Sequence, residues 1–410
     1  MNIWLLKTGE PVPIDSEDRR LMRMGTIANA LIEKKHSVIW FSSTFDHLSK
    51  KQLYNKDMLI NVKDNFLLYL FNAVEYKKNI SINRIINHRQ LAKKFEKVSK
   101  TIEKPDLILV SFPTIDFAYK AIKYGKKNNV PVVVDIRDLW PDIFNHNLKG
   151  IKKVIAKPYI WLMNKKTKRI MEQATAITGI SPQVLEWGQK KGNRLNNKSD
   201  KYFYNGYNKQ ESIETVFQEF NITNDDFIVC FAGTLASQFD FSILTETAKI
   251  MQNENVKFFI CGAGEKYDEL KEITKNLNNV TMTGWVDKER LNYILSNSNV
   301  GFAPYKNTFD FQMGIPNKFP EYLSYSLPIV VTCDGYMPKL AKENNCGIGS
   351  RDINEIKDYI LSLKNDKEKY NQESQNARKT YEKNFVADKI YEEMVNYLNN
   401  ISDNYKKDKT

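Results

Sequence analysis

The sequence lacks the features that would place a protein across a membrane or direct it to secretion. Its 410 residues contain no run of the roughly 18 apolar residues that a spanning helix needs, and its longest apolar stretches, 66–71 and 154–163, are short or interrupted. The opening residues, MNIWLLKTGE, have no basic segment followed by an apolar core and a cleavage site. We therefore expect a cytoplasmic chain that does not cross a membrane.

Cysteine is also scarce, and acidic residues are fewer than basic ones. The four cysteines show neither CxxC nor Cys/His spacing, so neither disulfides nor zinc is predicted. The 49 acidic residues are outnumbered by 61 Lys and Arg, and the resulting net charge of +12 predicts an anionic partner. Nucleic acid is not favoured, because the chain has no zinc-finger spacing, no RNP-like aromatic motif and no compact basic block interleaved with aromatic residues.

What the sequence does contain is a repeated alternation of apolar strands and amphipathic helices. The apolar run 2–6 leads into a helical pattern over 21–35 and then into a second strand from Ser37. Further apolar strands follow at 106–112, 131–138 and 175–181. Continuous Val/Ile/Leu strands joined by helices are typical of a parallel, doubly wound sheet.

The pattern lapses over the polar, Asn-rich segment 190–212 and then restarts. New strand-to-loop units lie at 227–234, 256–264, 280–284, 300–305 and 327–332. The sequence thus predicts an α/β chain with a Rossmann-like domain at 1–205, a second at 206–385, and a C-terminal helix with a charged tail at 386–410. We expect that helix to pack on the N-terminal domain, and the active site to lie between the domains at the carboxyl ends of the strands.

The segment 313–327, MGIPNKFPEYLSYSL, has the clearest candidate chemistry. Pro320 is tolerated only in the first turn of a helix, so the helix should begin near Asn317 or Lys318. Lys318 and Glu321 then share one face, where the ammonium and the helix amides suit a diphosphate and the carboxylate suits ribose hydroxyls. An exposed Lys/Glu pair beside a core-facing stripe has the same spacing, so spacing alone leaves both interpretations open.

This segment resembles the donor-binding helix of family 4 glycosyltransferases, in the branch that builds O-antigen and capsule repeat units. Further matching motifs occur in family order along nearly the whole chain, at 9–25, 43–47, 76–89, 134–142 and 203–208. The resemblance implies the two-domain GT-B fold, with the acceptor in the N-terminal domain and the nucleotide sugar in the C-terminal domain. It also implies transfer with retention at the anomeric carbon.

The chain departs from the family pattern at two places. The family has two glutamates separated by seven residues, and Glu321 matches the second, but Met313 stands at the first. The usual Arg and Lys after the first strand of the C-terminal domain are absent, and Gln238 stands near the Lys position. We therefore expect Lys318 to carry more of the diphosphate charge than in the family at large.

The resemblance assigns further donor-binding residues. It implies that Gly233 and Thr234 lie under the diphosphate and that Gly284, Trp285 and Val286 hold the base. The remaining donor-binding candidates are Gly9, Gly262, Gly264, Ile315, Pro316, Asn317, Lys318 and Glu321. Ordinary strand-end turns would also explain the glycines, since glycine is the default residue of tight turns.

Acceptor-binding candidates follow the strands of the first half. Asp138 comes just after a strand and is the candidate for contacting the attacking hydroxyl or the reacting sugar, with Arg137 beside it. An Arg137–Asp138 ion pair or a helix N-cap would explain the same pattern. Asp46 and His47 follow the second strand, and His88 lies in the motif at 76–89.

The resemblance implies Asp138, Lys318 and Glu321 as the catalytic set, with no cofactor and no metal, because the helix and Lys318 supply positive charge. The expected partners are a UDP-sugar donor, a polyprenyl-diphosphate-linked saccharide acceptor and an anionic membrane surface, with no nucleic acid. Segment 148–171 interleaves basic and apolar residues and, with 66–78, is the predicted surface on the inner face of the plasma membrane. A partly buried helix with snorkelling lysines has the same pattern. A UDP-sugar 2-epimerase and a non-catalytic subunit are the alternative functions.

Overall fold

A computed structural model describes residues 1–14, 21–79, 81–148, 150–195, 197–208, 215–223 and 225–407, without the side chains of Asn145, Asn147 and Lys152. Some predicted features therefore lie outside the described residues, namely 15–20 of the opening motif, Ile80 of the motif at 76–89, Lys149 of the basic segment and 209–212 of the polar segment. The chain divides into unit 1, Met1–Tyr204 with Asp388–Thr410, and unit 2, Asn205–Ala387.

Unit 1 alternates strands and helices as the apolar pattern predicts. Its elements within Met1–Tyr204 are β1 (Asn2–Leu6), α1 (Arg23–Glu33), β2 (Ser37–Ser43), β3 (Phe45–Asp46), β4 (Lys51–Gln52), β5 (Met58–Lys63), β6 (Phe66–Phe71), α2 (Ile82–Val98), β7 (Leu107–Phe112), α3 (Ile115–Asn128), β8 (Val132–Ile136), α4 (Asp142–Asn147), α5 (Gly150–Gln173), β9 (Ala176–Gly179), α6 (Pro182–Lys191) and β10 (Lys201–Tyr202).

Eight of these strands form one sheet in the order β10-β9-β8-β7-β1-β2-β6-β5, in which only the β5–β6 pairing is antiparallel. Every residue of β7 and β8 is buried, as expected for parallel strands covered on both faces. The order reverses at β1, with β2 on one side and β7 on the other. Ligands of doubly wound sheets bind at the carboxyl ends of strands beside such a switch point.

Unit 2 repeats this architecture with different residues. Its elements are a 3₁₀ turn at Gln218–Phe220, β11 (Phe227–Ala232), α7 (Phe241–Ile250), β12 (Val256–Cys261), α8 (Tyr267–Thr274), β13 (Val280–Gly284), α9 (Lys288–Ser296), β14 (Val300–Ala303), α10 (Phe309–Met313), α11 (Lys318–Ser324), β15 (Ile329–Val331), α12 (Tyr336–Glu343), β16 (Gly347–Gly349), α13 (Ile353–Asn365) and α14 (Lys367–Asn384). The six strands are all parallel, in the order β13-β12-β11-β14-β15-β16, so the switch point lies between β11 and β14.

The last helix, α15 (Ala387–Lys407), belongs almost entirely to unit 1. It buries the apolar stripe Met394, Val395 and Leu398, and Lys34, the residue that caps the C-terminus of α1, pairs with its Glu392 at 2.5 Å. The predicted return of the C-terminal helix to the N-terminal half is therefore present. No described helix is both long and apolar enough to span a bilayer.

The two segments of the predicted membrane surface differ in their burial. Phe66, Leu68, Leu70 and Phe71 are buried in β6, which pairs with β2 and β5. The prediction that segment 66–78 contributes an exposed surface is wrong for this strand, because an apolar run in an inner strand packs against both layers of the unit. The N-terminal half of α5, by contrast, does expose apolar side chains.

The exposed face of α5 follows helical spacing. Ile151 and Ile155 are each 73% exposed, Val154 is 58% exposed and Trp161 is 64% exposed. Lysine side chains flank them at 153, 157 and 165, and the Lys165 ammonium lies 5.3 Å from the centre of the Trp161 ring. We call Ile151, Val154, Ile155 and Trp161 the α5 stripe; the opposite side of the helix is buried through Met163, Ile170 and Met171.

Candidate functional site

Three glycines in unit 2 bring neighbouring strand ends together. The Gly233 N–H after β11 donates to the Cys261 carbonyl at 2.8 Å, and the Gly262 N–H after β12 donates to the Gly284 carbonyl at 2.8 Å. Gly233 and Gly262 have φ values of +141° and +142°, and a Cβ at Gly262 would collide with the Gly233 carbonyl oxygen. Only glycine fits here, because the backbones touch and φ lies in the region that side chains disfavour.

The same two loops, after β11 and β12, also contact each other further along the chain, at Leu235, Ala263 and Gly264. The Leu235 N–H donates to the Ala263 carbonyl at 2.9 Å, and a Cβ at Gly264 would meet the Leu235 carbonyl oxygen. Thr234, between these two contacts, is exposed. The glycines therefore have a packing reason to be there, and that packing presents a flat backbone surface with one exposed hydroxyl at the carboxyl ends of β11 and β12.

Lys318 extends under this surface from the other side of the switch point. Helix α11 begins at Lys318 with Pro320 in its first turn, as the sequence predicts. The Lys318 side chain is buried, its Nζ donates to the Ala232 carbonyl, and it lies 4.5 Å from the Phe231 ring centre and against Gly233. An exposed Lys/Glu surface pair is thus excluded, because the ammonium is directed into the strand end.

The burial of Lys318 affects its protonation. Burial lowers the pKa of the Lys318 ammonium below its ordinary value of 10.5, although Glu321 opposes that shift. The ammonium has one carbonyl and the aromatic faces of Phe231 and Phe239 as neighbours, an environment that compensates a full charge poorly. An anionic ligand beside Gly233 would supply the missing countercharge.

Glu321 has a partner that the sequence did not indicate. Its Oε1 accepts a hydrogen bond from the Tyr207 hydroxyl at 2.7 Å. The Tyr207 backbone is held in turn, because its N–H donates to the Phe385 carbonyl and its own carbonyl accepts from the Tyr381 hydroxyl, both at 2.8 Å. Tyr207 lies in the motif FYNGYN at 203–208. That motif matched the family pattern, but it did not predict the contact with Glu321.

The loop before α11 is held by hydrogen bonds to the first turn of that helix. Ile315 is buried, the Pro316 carbonyl accepts from the Phe319 N–H at 3.1 Å, and the Asn317 carbonyl accepts from the Glu321 N–H at 3.0 Å. The amides of Phe319 and Glu321 therefore serve the helix itself. The positive character of this site rests on Lys318 more than on those helix amides.

The remaining donor-side residues surround the same strand ends. Trp285 is 76% exposed directly after β13, and Gly284 before it has φ +69° and faces the Tyr267 hydroxyl. Val286 is half-buried beside it. Met313 ends the short helix α10, and the Gln238 carbonyl accepts from the Lys306 N–H at 3.2 Å.

In unit 1 the sequence candidates gather at the carboxyl ends of β1, β2 and β8. Gly9, with φ +79°, lies against the His47 side chain. The Nδ1 atom of His47 lies 2.7 Å from the Tyr76 hydroxyl and 3.1 Å from the Lys50 ammonium. Burial and the nearby cations Lys50 and Arg84 lower the pKa of His47 to about 4, so the ring is neutral at pH 7.

The side chains of Arg137 and Asp138, although adjacent in the chain, have different surroundings. The Arg137 guanidinium pairs with Glu10 at 3.4 Å and lies 4.0 Å from the buried Asp135 carboxylate. Asp138 is exposed, and the following helix α4 has Pro141 at its N-cap. The helix-cap explanation for Asp138 is therefore wrong, and its carboxylate faces solvent at a strand exit.

Asp46 forms hydrogen bonds within its own turn, whereas His88 is half-buried beside a cavity. The Asp46 carboxylate accepts from the Leu48 N–H at 2.9 Å and from the Ser49 hydroxyl at 2.6 Å, so it stabilises its own turn. Burial, with Arg84, lowers the pKa of His88 to about 3. His88 lines a small cavity of about 20 Å³ together with Pro113, Ile115, Asp116, Trp140, Tyr159, Leu162, Met163 and Lys166.

A buried ion pair supports this end of the sheet. Arg23 donates from Nε and Nη2 to the two oxygens of Asp135, each at 3.1 Å, and from Nη1 to the carbonyls of Phe203 and Tyr204. Burial opposes both charges, but their mutual attraction raises the pKa of Arg23 and lowers that of Asp135. Among the described residues no three His, Cys, Asp or Glu side chains converge as metal ligands.

Comparison with known proteins links these features to a family. Residues 212–380 match the family described as "Glycosyl transferases group 1". No curated protein sequence matches the chain.

Solved structures match over nearly the whole length. Sucrose-phosphate synthase from Thermosynechococcus elongatus is 15% identical with a TM-score of 0.72, covering 98% of each chain. HepE from Anabaena, in complex with UDP, is 14% identical with a TM-score of 0.68, covering 97% of this chain and 99% of its own. WaaG, a glycosyltransferase involved in lipopolysaccharide biosynthesis, is 11% identical with a TM-score of 0.64, covering 97% of this chain and 99% of its own. The chain has the GT-B fold of these structures, and its residues 212–380 match the glycosyl transferases group 1 family.

Proposed function

We propose that the chain is a retaining glycosyltransferase that moves a sugar from a UDP-sugar to a polyprenyl-diphosphate-linked saccharide, in bacterial capsule or O-antigen synthesis. The observation that carries the donor half is the buried Lys318 ammonium directed at Gly233, where β11 ends at the switch point of unit 2. A diphosphate placed against Gly233 meets a buried ammonium that contacts a carbonyl and two aromatic rings and that Glu321 already attracts. Charge-assisted hydrogen bonds of that kind are the strong ones in proteins.

The nucleoside of the donor is proposed to extend from that point toward β13. Glu321, oriented by Tyr207, supplies a carboxylate acceptor for ribose hydroxyls. The backbone around Gly284 and Val286, beside the exposed Trp285, provides the surface for the base. HepE, which shares the fold, is solved with UDP and with UDP-glucose, and this likeness favours UDP as the nucleotide.

The chemistry asked of the protein is electrostatic. As the glycosidic bond to the diphosphate breaks, negative charge develops on the leaving phosphate oxygen, and the Lys318 ammonium stabilises it without a metal ion. The acceptor hydroxyl attacks from the face that the diphosphate leaves, and the departing phosphate oxygen takes its proton. Asp138 is proposed to hold that hydroxyl or the reacting sugar, since its carboxylate is exposed at the end of β8.

Unit 1 has two features that suit the proposed acceptor, the α5 stripe and the cavity beside it. The α5 stripe offers an apolar surface flanked by lysines, the composition of a helix that lies on an anionic bilayer. The cavity lined by His88 and Trp140 is bordered by Leu162 of the same helix. A lipid-linked saccharide held at the membrane surface would then have its sugar beside the end of β8.

A product screen tests this function. The full-length protein is incubated with UDP-, GDP- or dTDP-sugars and a polyprenyl-diphosphate-sugar acceptor, and products are identified by mass spectrometry and by the anomeric configuration of the new bond. We expect a UDP-sugar to stabilise the protein in thermal-shift assays and to give a retained glycoside. Glu321→Gln and Lys318→Met should lower kcat/KM about tenfold or more, the loss expected for one charge-assisted hydrogen bond.

Two outcomes would contradict the proposal. An epimerised free sugar formed from UDP-sugar alone would identify an epimerase, and unchanged transfer by both variants would remove Lys318 and Glu321 from the mechanism. Glu272→Gln, at an exposed position in the last turn of α8, is the matched control and should leave transfer unchanged.

A further inference from the structure

Unit 1 contains a group of hydrogen-bond donors that the proposed transfer step does not use. His47 and Lys50 follow β2, Tyr76 follows β6, and Arg84 lies in the first turn of α2. We call His47, Lys50, Tyr76 and Arg84 the Arg84 cluster. These residues are up to 37 positions apart in the chain, yet they form one connected network.

The contacts within the Arg84 cluster determine where its protons lie. An ammonium can only donate, so Nδ1 of His47 accepts from Lys50 at 3.1 Å and the imidazole proton resides on Nε2. The Tyr76 hydroxyl lies 2.7 Å from the same Nδ1, so it shares the single lone pair of that nitrogen with Lys50. Lys50 additionally donates to the Asn79 side chain at 2.6 Å. The network thus ends in an ammonium, a guanidinium and an imidazole N–H, all of them donors.

Arg84 is held in place but is incompletely paired. Its Nη1 donates to the Asn79 carbonyl at 2.8 Å, and its guanidinium lies 4.8 Å from the Trp140 ring and 5.7 Å from the Tyr76 ring. Its Nε is buried and has no hydrogen-bond partner among the described residues. Burial lowers the pKa of the Arg84 guanidinium below its ordinary value, although Tyr76 and Asp138 oppose that shift.

The acidic groups nearby offset the positive charge of the Arg84 cluster only in part: Asp46 attracts His47 and Lys50, and Asp138 attracts Arg84. Asp46 stabilises its own turn, and Glu10 lies between Lys7 at 3.7 Å and Arg137 at 3.4 Å. Asp138 is exposed. A rigid, donor-rich site with an excess of positive charge is suited to a multiply charged oxyanion, since guanidinium and ammonium groups together match phosphate geometry.

We propose that the Arg84 cluster binds the phosphate or diphosphate group carried by the acceptor, at a site separate from the nucleotide diphosphate beside Lys318. Arg84 and Lys50 contact the phosphate oxygens, the His47 Nε2–H is a third donor, and Trp140 and Tyr76 hold the guanidinium in orientation. This inference rests on the proposed function, which it deepens by assigning residues to the charged part of the acceptor.

The test is a titration of the full-length protein with inorganic pyrophosphate after saturation with UDP, which occupies the donor site. Isothermal calorimetry should show one further binding event in the wild type, weakened about tenfold or more in Arg84→Gln, since a charged donor is lost. Arg89→Gln is the matched control, because Arg89 is an exposed arginine of the same helix and should bind as the wild type does. Lys50→Gln removes a second cation of the site at a loop position and guards against a folding defect in the helix variant.

Pyrophosphate binding that is absent after UDP saturation, or equal in Arg84→Gln and wild type, would overturn the inference. If UDP itself does not bind, the proposed function fails, whereas pyrophosphate binding that depends on Arg84 in the nucleotide-free protein still supports the anion site. The source of the phosphate is distinguished by titrating farnesyl diphosphate and glucose 6-phosphate in parallel. Arg84-dependent preference for farnesyl diphosphate supports a lipid-linked acceptor, and preference for the hexose phosphate supports the site while contradicting that acceptor.

Discussion

Lys318 shows how a single residue acquires a property that its local sequence does not specify. Its ammonium is buried against the Ala232 carbonyl and two aromatic rings, where burial lowers its pKa. A bound diphosphate would favour the protonated form and raise that pKa. The affinity for UDP should therefore be highest where the unliganded Lys318 is already protonated.

From this follows a pH dependence. As pH rises through the lowered pKa of the unliganded Lys318, UDP binding must also recruit a proton, and the affinity weakens at a pH below the ordinary 10.5. Lys318→Met keeps the length and the apolar stem of the side chain, so we expect weaker UDP binding at pH 7 and a flatter dependence up to pH 9. The measurement is the calorimetric Kd of UDP across that range for both proteins. Parallel curves for wild type and variant would show that Lys318 does not contact the diphosphate.

At the scale of elements, the donor site depends on how closely the strand-end loops of β11, β12 and β13 approach one another. Gly262 combines a φ of +142° with direct contact to the Gly233 carbonyl oxygen. Any side chain there must displace the loop that carries Gly233, and Gly233 is the residue that touches Lys318. The packing of these loops and the geometry of the ammonium site are therefore coupled.

Gly262→Ala should consequently destabilise unit 2 by roughly 1–3 kcal/mol, the cost of a strained backbone conformation, and should weaken UDP binding. Gly314→Ala is the control, because Gly314 has an ordinary negative φ and the nearest atom to its added Cβ would be 3.4 Å away. Urea denaturation gives the stability difference and calorimetry gives the affinity. Equal stability of the two variants would contradict the steric argument.

At the scale of the whole molecule, the net charge of +12 and the α5 stripe favour the same kind of partner. Lysines near an anionic bilayer contribute about 1 kcal/mol each, and a fully buried Ile or Trp-sized side chain contributes about 1.5–3 kcal/mol. Neither contribution alone gives durable binding, but a helix that combines both does. The charge contribution is screened by salt, whereas the apolar contribution is not.

The double variant Ile155→Ser with Trp161→Ser should therefore bind anionic phosphatidylglycerol vesicles about tenfold or more weakly than the wild type, and wild-type binding should weaken with added salt. Cosedimentation at several salt concentrations measures both effects. Ile273→Ser is the control, since Ile273 is 51% exposed in unit 2 and is not part of the α5 stripe. Vesicle binding that is unchanged in the double variant would exclude the α5 stripe as the membrane surface.

The sequence by itself determined the α/β class, the two successive Rossmann-like sheets and the start of α11 at Lys318. These follow from local properties, namely the apolar strands of buried parallel sheets and the restriction that Pro320 places on a helix. The motif segments also indicated which strand ends carry the candidate residues. Burial of the strand β6 was misjudged, because a short apolar run looks alike in an inner strand and on a membrane-facing surface.

Only the tertiary structure decided which distant residues meet. It placed Lys318 under Gly233, joined Glu321 to Tyr207 across 114 positions, and separated Arg137 from Asp138 by giving Arg137 another partner in Glu10. It also assembled the Arg84 cluster, which joins Lys50 to residues of the motifs at 43–47 and 76–89 through contacts that the sequence did not predict. The physical reason is the same in each case: the charge, protonation and orientation of a side chain depend on what the fold packs against it, and sequence spacing does not carry that information.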